Sequence, residues 1–279
     1  MATPIGNLDD VSLRALHSLA SAEIIAAEDT RVTMRLLDHH RLSGKLVPVH
    51  AHNERRAADW IVEQLSQGKT VALVTDAGTP AVSDPGAVVV ARARDAGFRV
   101  VPVPGPNAAV TALSASGMAD GPFLFLGFLP AKPGPRRKAL EGVSAQPHTL
   151  VFYEAPHRIV ACIEDLAAAF GPGRSLVIAR ELTKVFEQIH RCPLGEAAAW
   201  LRADPDRQRG EFVLVVEGAA PARTNADPDW ERVVRTLLAD LPLAHAVRLA
   251  CKLTGASRKI VYARALQLSR EAETRGPRA

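Results

Sequence analysis

The sequence predicts an α/β fold: two α/β domains followed by a small helical unit. Three observations lead there. Strand-like apolar runs alternate with amphipathic helical patterns through the first 218 residues. A Pro/Gly-rich stretch at 129–135 interrupts that alternation. Beyond a second break at 219–228 the pattern is wholly helical and strongly basic. These breaks place the domains at 1–128, 129–218 and 229–272, in a chain of 279 residues, about twice a usual single-domain length.

In order, 12–20 reads as a helix, with Leu13, Leu16 and Leu19 at helical spacing after an N-cap at Asp9 or Asp10. A strand is expected at 23–27, a helix at 31–38 and a strand at 46–50. A helix at 54–67 stops at Gly68, and 70–75 is a buried strand. A helix at 85–96 closes at Gly97, and 99–103 is again strand. In the second domain, strands are expected at 149–153, 175–179 and 212–216, with weaker alternation over 184–191. Helices are expected at 156–170, with Pro156 in the first turn, and at 196–202. The last unit carries three helical patterns, 230–240, 243–253 and 257–270, with Gly255 in the final turn; this is helix-turn-helix-like. The β/α alternation argues for parallel or mixed sheets covered by helices.

Composition narrows the class. With 47% apolar and 23% charged residues the chain is neither disordered nor fibrous. No apolar run approaches the ~18 residues that span a bilayer, and residues 1–10 lack a secretory pattern. A soluble, cytoplasmic protein is expected. The three cysteines, Cys162, Cys192 and Cys251, are far apart and read as small core residues. The pairs His39–His40 and His50–His52 lack metal-site spacing, so no metal is expected.

Charge is uneven within a net +4. From 247 onward, Arg248, Lys252, Arg258, Lys259, Arg264, Arg270, Arg275 and Arg278 face only Glu271 and Glu273. A second cluster, Lys132, Arg136, Arg137 and Lys138, occupies the first break. A basic tail and hinge suit a polyanion, most simply nucleic acid; a solvated helix face plus a linker fits the charge equally well.

Three junctions in the first domain are rich in Gly and Pro: Thr3-Pro4-Ile5-Gly6-Asn7, the eleven residues 76–86, and Pro104-Gly105-Pro106-Asn107-Ala108-Ala109. Loops of this kind converge beyond the carboxyl ends of strands, where open α/β sheets bind ligands. The absence of GxGxxG, GxxxxGK[ST] and GxSxG argues against dinucleotide, P-loop and serine-hydrolase chemistry. In the second domain polar residues follow the strands: Glu154, His157 and Arg158 after one, Arg180, Glu181 and Lys184 after another. Such a rim can take up a proton and grip a phosphate; a structural ion-pair network accounts for it as well.

The segments TPIGN, AEDTR, DAGTPAVSDPG, PGPNAA, GFLP, FYEAPHR and ARELTK together resemble the tetrapyrrole-methylase-like superfamily. Within it they are similar to the small-subunit ribosomal RNA (cytidine-2′-O)-methyltransferase family, over essentially the whole chain. The resemblance implies two α/β domains of the class III methyltransferase type, with S-adenosylmethionine in the cleft between them, and a homodimer. It implies methylation of a ribose 2′-OH in the decoding region of 16S rRNA, with the RNA in the assembled 30S subunit, and no metal. Carried over by position, Pro4, Gly6, Asp76, Ala77, Gly78, Ser83, Asn107 and Ala108 would line the cofactor. Glu154, His157, Arg158 and Lys184 would lie on the substrate side: Glu154 or His157 as base, Lys184 or Arg158 for phosphate or oxyanion.

The chain departs from the family pattern at Asn107 and Ala155, where serine is usual, and at Gln188, where glutamate is usual. Asn107 keeps a hydrogen-bonding side chain, whereas Ala155 removes a hydroxyl from the substrate rim. The family's apolar strand ahead of TPIGN is reduced here to Met1-Ala2, so an N-terminally extended form is expected to melt higher. Two other functions fit the same fold: a tetrapyrrole-precursor methylase, against which the basic tail speaks, and a non-catalytic RNA-binding assembly factor, against which the intact glycine loops speak. For the C-terminal helices, RNA docking is the expected role.

Overall fold

A computed structural model describes residues 1–118, 120–220 and 230–274, and the chain divides into two units, Met1–Ala219 and Ala220–Ala279. The break expected at 219–228 lies outside the described residues from 221 onward, as do residue 229 and the side chains of Arg270, Arg275 and Arg278.

The first unit opens with a short 3-10 turn, Leu8–Asp10, capped by Asn7. Helix α1, Leu13–Ser21, is capped by Ser12, whose hydroxyl accepts from Ala15 N, and not by Asp9 or Asp10. Its buried face is Ala15 and Leu19, with Leu16 partly buried, while Leu13 is 77% exposed; the expected leucine stripe therefore begins one turn late. Strand β1 (Ile24–Ala27), α2 (Thr30–His39), β2 (Leu46–Pro48), α3 (Glu54–Ser66) and β3 (Val71–Leu73) follow as expected within a few residues. The three strands form one parallel sheet, β2-β1-β3, with β1 buried along its whole length.

The first residues extend this sheet. The Met1 ammonium donates to Leu73 O at 2.8 Å, Ala2 N donates to Val103 O at 3.1 Å, and Thr3 and Gly78 exchange backbone hydrogen bonds. The segment 99–103, expected as a strand, makes no ladder; Val100 and Val101 remain exposed. Helix α4, Ala87–Asp95, lies between the long loop and this segment in the chain.

Three elements were not expected. Helix α5, Ala108–Ser116, is built of small and apolar residues on all sides, so it shows no amphipathic stripe. Strand β4, Phe123–Phe128, carries a bulge between Phe125 and Gly127, where Gly127 takes φ +62°. Helix α6, Pro133–Glu141, begins inside the stretch read as a linker; Pro133 and Pro135 fall in its first turn, where the missing N–H costs nothing. As a result the boundary expected at 128/129 falls inside a continuous β4–α6–β5 crossover, with β4 and β5 (Thr149–Glu154) paired in parallel.

The rest of the unit comprises a 3-10 turn at Pro156–Arg158, α7 (Ile159–Phe170), β6 (Ser175–Arg180), β7 (Gln188–Pro193), α8 (Leu194–Arg202) and β8 (Phe212–Val216). The second sheet runs β4-β5-β8-β6-β7 and is mixed, with every pair beyond β4–β5 antiparallel. Its central strands are buried on both faces. Leu150, Phe152, Ile178 and Leu214 pack toward α6, α7 and α8, while Val151, Val177, Val213 and Val215 pack toward α5.

The basic cluster of the presumed hinge is half structural. Arg136 is buried and donates through Nε and Nη2 to Asp165 at 2.7 and 2.6 Å, and Arg137 Nε reaches the same carboxylate at 2.7 Å. That carboxylate lies on α7, 29 residues away, so sequence spacing could not reveal the pair.

In the second unit, α9 (Trp230–Asp240), α10 (Leu243–Thr254) and α11 (Arg258–Thr274) pack around Trp230, Val234, Val247, Ala250, Val261, Ala265 and Leu268. Gly255, at φ +72°, caps α10 in the left-handed region and makes the turn into α11. Arg248, Lys252, Arg258 and Lys259 are exposed, whereas Arg264 pairs with Glu231 at 2.6 Å. Among the described residues no helix is long and apolar enough to cross a membrane.

Candidate functional site

The carboxyl ends of β3, β4 and β5 and the loops after them enclose a cavity of about 340 Å³, the scale of a small-molecule site. One wall comes from the glycine- and proline-rich loops: Ile5, Ala77, Gly78, Thr79, the segment 82–84, and Asn107 with Ala108 at the start of α5. The other comes from the second sheet: Phe128 at the end of β4, the segment 153–156 after β5, Ala179 and Leu182 near β6, and the segment 211–213 at β8.

Of the eight residues expected at the cofactor, Ala77, Gly78, Ser83, Asn107 and Ala108 line this cavity. Pro4, Gly6 and Asp76 do not. Pro4 follows the Thr3–Gly78 bridge. Asp76 accepts from Asp29 N at 2.8 Å. Gly6 packs where a Cβ would meet Lys184 Cγ at 2.5 Å, Leu182 O at 2.7 Å and Thr183 Oγ1 at 2.7 Å, so only glycine permits the first loop to close on the loop after β6. Four non-glycine residues with positive φ cluster on the two loops flanking the cavity: Ala81 and Ser83 at +67°, Glu181 at +50° and Thr183 at +65°. Strain of this kind persists where surrounding contacts over-determine the backbone, as they do here.

Of the four residues expected on the substrate side, Glu154 alone lines the cavity. Its carboxylate is fully buried. Oε1 accepts from Ala155 N at 2.7 Å and from Arg158 Nε, and the carboxylate also lies against the buried Cys162 thiol, whose pKa burial and then this carboxylate raise. Arg158 also lies over the Phe128 ring, its Cζ 5.9 Å from the ring centroid. His157 is exposed on the adjoining 3-10 turn. Lys184 bonds Glu181 at 2.8 Å and Glu211 at 2.9 Å; burial works against its charge, but those two carboxylates outweigh it and raise its pKa. It is a fixed cation and not a proton acceptor.

Sequence reasoning missed Asp84, Tyr153 and Phe128. The Tyr153 hydroxyl accepts from Ala109 N at 3.2 Å, and burial raises its pKa. Asp84 lies near Glu28 and Asp76, and burial, then the Glu28 charge, pushes its pKa up to about 6. Asp76 is raised too, chiefly by burial, whereas Asp29 is pulled down to about 2 by the Arg31 hydrogen bond. Because the native state holds the Asp84 proton more tightly than the unfolded chain between 3.8 and about 6, stability falls as pH rises through that window. Asp84→Asn is therefore expected to raise the melting temperature at pH 7.5 and leave it unchanged at pH 4. Thermal scans at the two pH values check this.

Chemically the cavity suits a ligand with an aromatic part, hydroxyl groups and a positive charge. Ile5, Ala179, Leu182 and Val213 supply apolar surface, and Asp84 accepts hydrogen bonds and offsets a cation.

The comparisons agree with that chemistry. Residues 2–198 match the family model described as Tetrapyrrole (Corrin/Porphyrin) Methylases, and 224–269 match the RsmI C-terminal HTH domain. The Ribosomal RNA small subunit methyltransferase I of Escherichia coli O157:H7 is 46% identical over 265 residues, covering 95% of this chain and 93% of the relative. The chain belongs to the ribosomal RNA small subunit methyltransferase I family. Solved structures share the fold of its first unit. The methyltransferase CobJ is 22% identical with a TM-score of 0.58, covering 77% of this chain and 91% of its own. A uroporphyrin-III C-methyltransferase from Thermus thermophilus, solved with S-adenosylhomocysteine, is 19% identical with a TM-score of 0.53, covering 76% and 93%. At such identities the likeness concerns the fold alone. The tetrapyrrole-methylase fold is thus joined, in this family, to a helix-turn-helix unit.

Proposed function

We propose that this protein methylates the ribose 2′-oxygen of a cytidine in the decoding region of 16S rRNA. The observation that carries the reading is a cavity walled on one side by the family's glycine-rich loops and on the other by the end of β5, where Glu154 sits. The methyl donor is S-adenosylmethionine, which when bound supplies an electrophilic methyl group on a sulfonium. Ala77, Gly78, Ser83, Asn107 and Ala108 would hold it, largely through backbone, with Ile5 and Leu182 against its apolar part.

The rest of the chemistry belongs to the chain. A 2′-OH is a weak acid, and transfer requires its oxygen in line with the methyl carbon and its proton removed. Glu154 takes that proton. Arg158, bonded to Oε1, holds the carboxylate in place. Lys184 ties Glu181 to Glu211 and fixes the loop that closes on Gly6. His157, exposed on the turn beside them, is the alternative base.

The helical unit presents Arg248, Lys252, Arg258 and Lys259, a surface for RNA backbone. It favours RNA over a tetrapyrrole, a small anion that needs no such appendage. The substrate is the assembled 30S subunit in the cytoplasm, and the enzyme works as a homodimer.

The test is methyl transfer from labelled S-adenosylmethionine to small subunits lacking the modification, with naked rRNA alongside, the product being mapped by resistance to alkaline cleavage. Label at one resistant cytidine supports the reading. Label on a base, or bound cofactor with no transfer to any RNA, sinks it.

A further inference from the structure

Phe128 is 56% exposed, yet it lines the cavity. Its ring is held by its neighbours. Tyr153 meets it at 5.5 Å between centroids with the planes at 65°, and Tyr153 is itself fixed by Phe125 at 4.8 Å and by Ala109 N. The Arg158 guanidinium lies over the ring and bonds Glu154 through Nε. A chain of contacts thus runs from an open aromatic face to the carboxylate placed at the reacting oxygen. Four residues beyond Phe128, exposed Lys132 sits at the N-cap of α6 and adds positive charge next in the chain.

An RNA chain can reach only the exposed rim, because a polymer cannot enter a cavity of this size whole. For one ribose to enter, its base must leave the helical stack and lose its stacking neighbours. Among the cavity residues of the second sheet, Phe128, Pro156 and Glu211 are exposed, and of these Phe128 alone offers an aromatic face. A π-face backed by a guanidinium is the chemistry that receives an unstacked nucleobase.

We propose that Phe128 is the stacking platform for the nucleobase of the methylated nucleotide, with Arg158 steadying the ring and coupling its position to Glu154. This rests on the RNA reading above and adds a base subsite to it.

Phe128→Leu and Phe128→Tyr test it against the unaltered protein, with S-adenosylhomocysteine affinity by calorimetry and KM and kcat on small subunits as readouts. Phe128→Leu is expected to raise the subunit KM roughly tenfold to a hundredfold, the loss of one stacked base. Cofactor affinity should stay unchanged, and Phe128→Tyr should restore KM to within about twofold, since stacking needs only an aromatic face. A parallel loss of S-adenosylhomocysteine affinity would put the ring against the cofactor, and an unchanged KM would remove it from RNA binding; either overturns the proposal. Leucine performing as well as tyrosine would also overturn it, by making the ring mere packing. If the unaltered protein binds S-adenosylhomocysteine but methylates no RNA, the RNA reading fails and the platform with it.

Discussion

Glu154→Gln is expected to cut kcat by about two to four orders of magnitude, the usual contribution of a positioned general base, while S-adenosylhomocysteine binding is kept. Glutamine has nearly the same shape and can still accept from Arg158 and Ala155 N, so the wall of the cavity stays in place. What disappears is the basic carboxylate. Single-turnover rates on small subunits, with a calorimetric titration of S-adenosylhomocysteine, provide both readings. A folded Glu154→Gln protein with full kcat would transfer the role to His157.

Asp165→Ala is expected to cost about 3–5 kcal/mol of stability, the range for breaking a buried ion pair by removing one partner. The loss is large because the substitution strands Arg136, whose side chain is 4% exposed and whose remaining partner is Ala131 O at 3.3 Å. Denaturant midpoints measure it. The double replacement Asp165→Leu with Arg136→Met should recover much of the loss, because no charge is then left buried. Burial works to raise the Asp165 pKa, but the hydrogen bonds from Arg137 and Arg136 and their charges prevail and hold it below the ordinary value. The native state therefore releases this proton more readily than the unfolded chain. The pair's contribution is fully present above about pH 4 and is lost as pH falls through the depressed native value. The stability gap between the two proteins should be flat from neutral to mildly acidic pH and close only below that point.

What could be read from sequence depended on whether the burial of an element leaves a periodic trace. The three C-terminal helices fall within a few residues of expectation, because Val234, Val247, Ala250, Val261, Ala265 and Leu268 mark one buried side against polar others. Helix α5 left no such trace, since its small residues pack against the second sheet and leave Val110 exposed without polar contrast. Helix α6 was masked by the prolines that start it, and β4 by the bulge at Gly127. At the site, the glycine-rich loops were legible because backbone conformation and close approach demand particular residues in sequence. Phe128, Asp84 and the burial of Glu154 were not, because each depends on neighbours far along the chain: Arg158 for Phe128, Glu28 for Asp84.

The absence of a side chain at Gly6 has a mechanical consequence. With the first loop seated directly on Leu182, Thr183 and Lys184, and Ile5 packed beside it in the core of the second sheet, the two sheets are latched together there. Two lobes latched in this way cannot part like a clamshell without unseating a loop held by Glu181, Glu187 and Glu211. The width of the gap between them is therefore set when the chain folds and not when a ligand arrives.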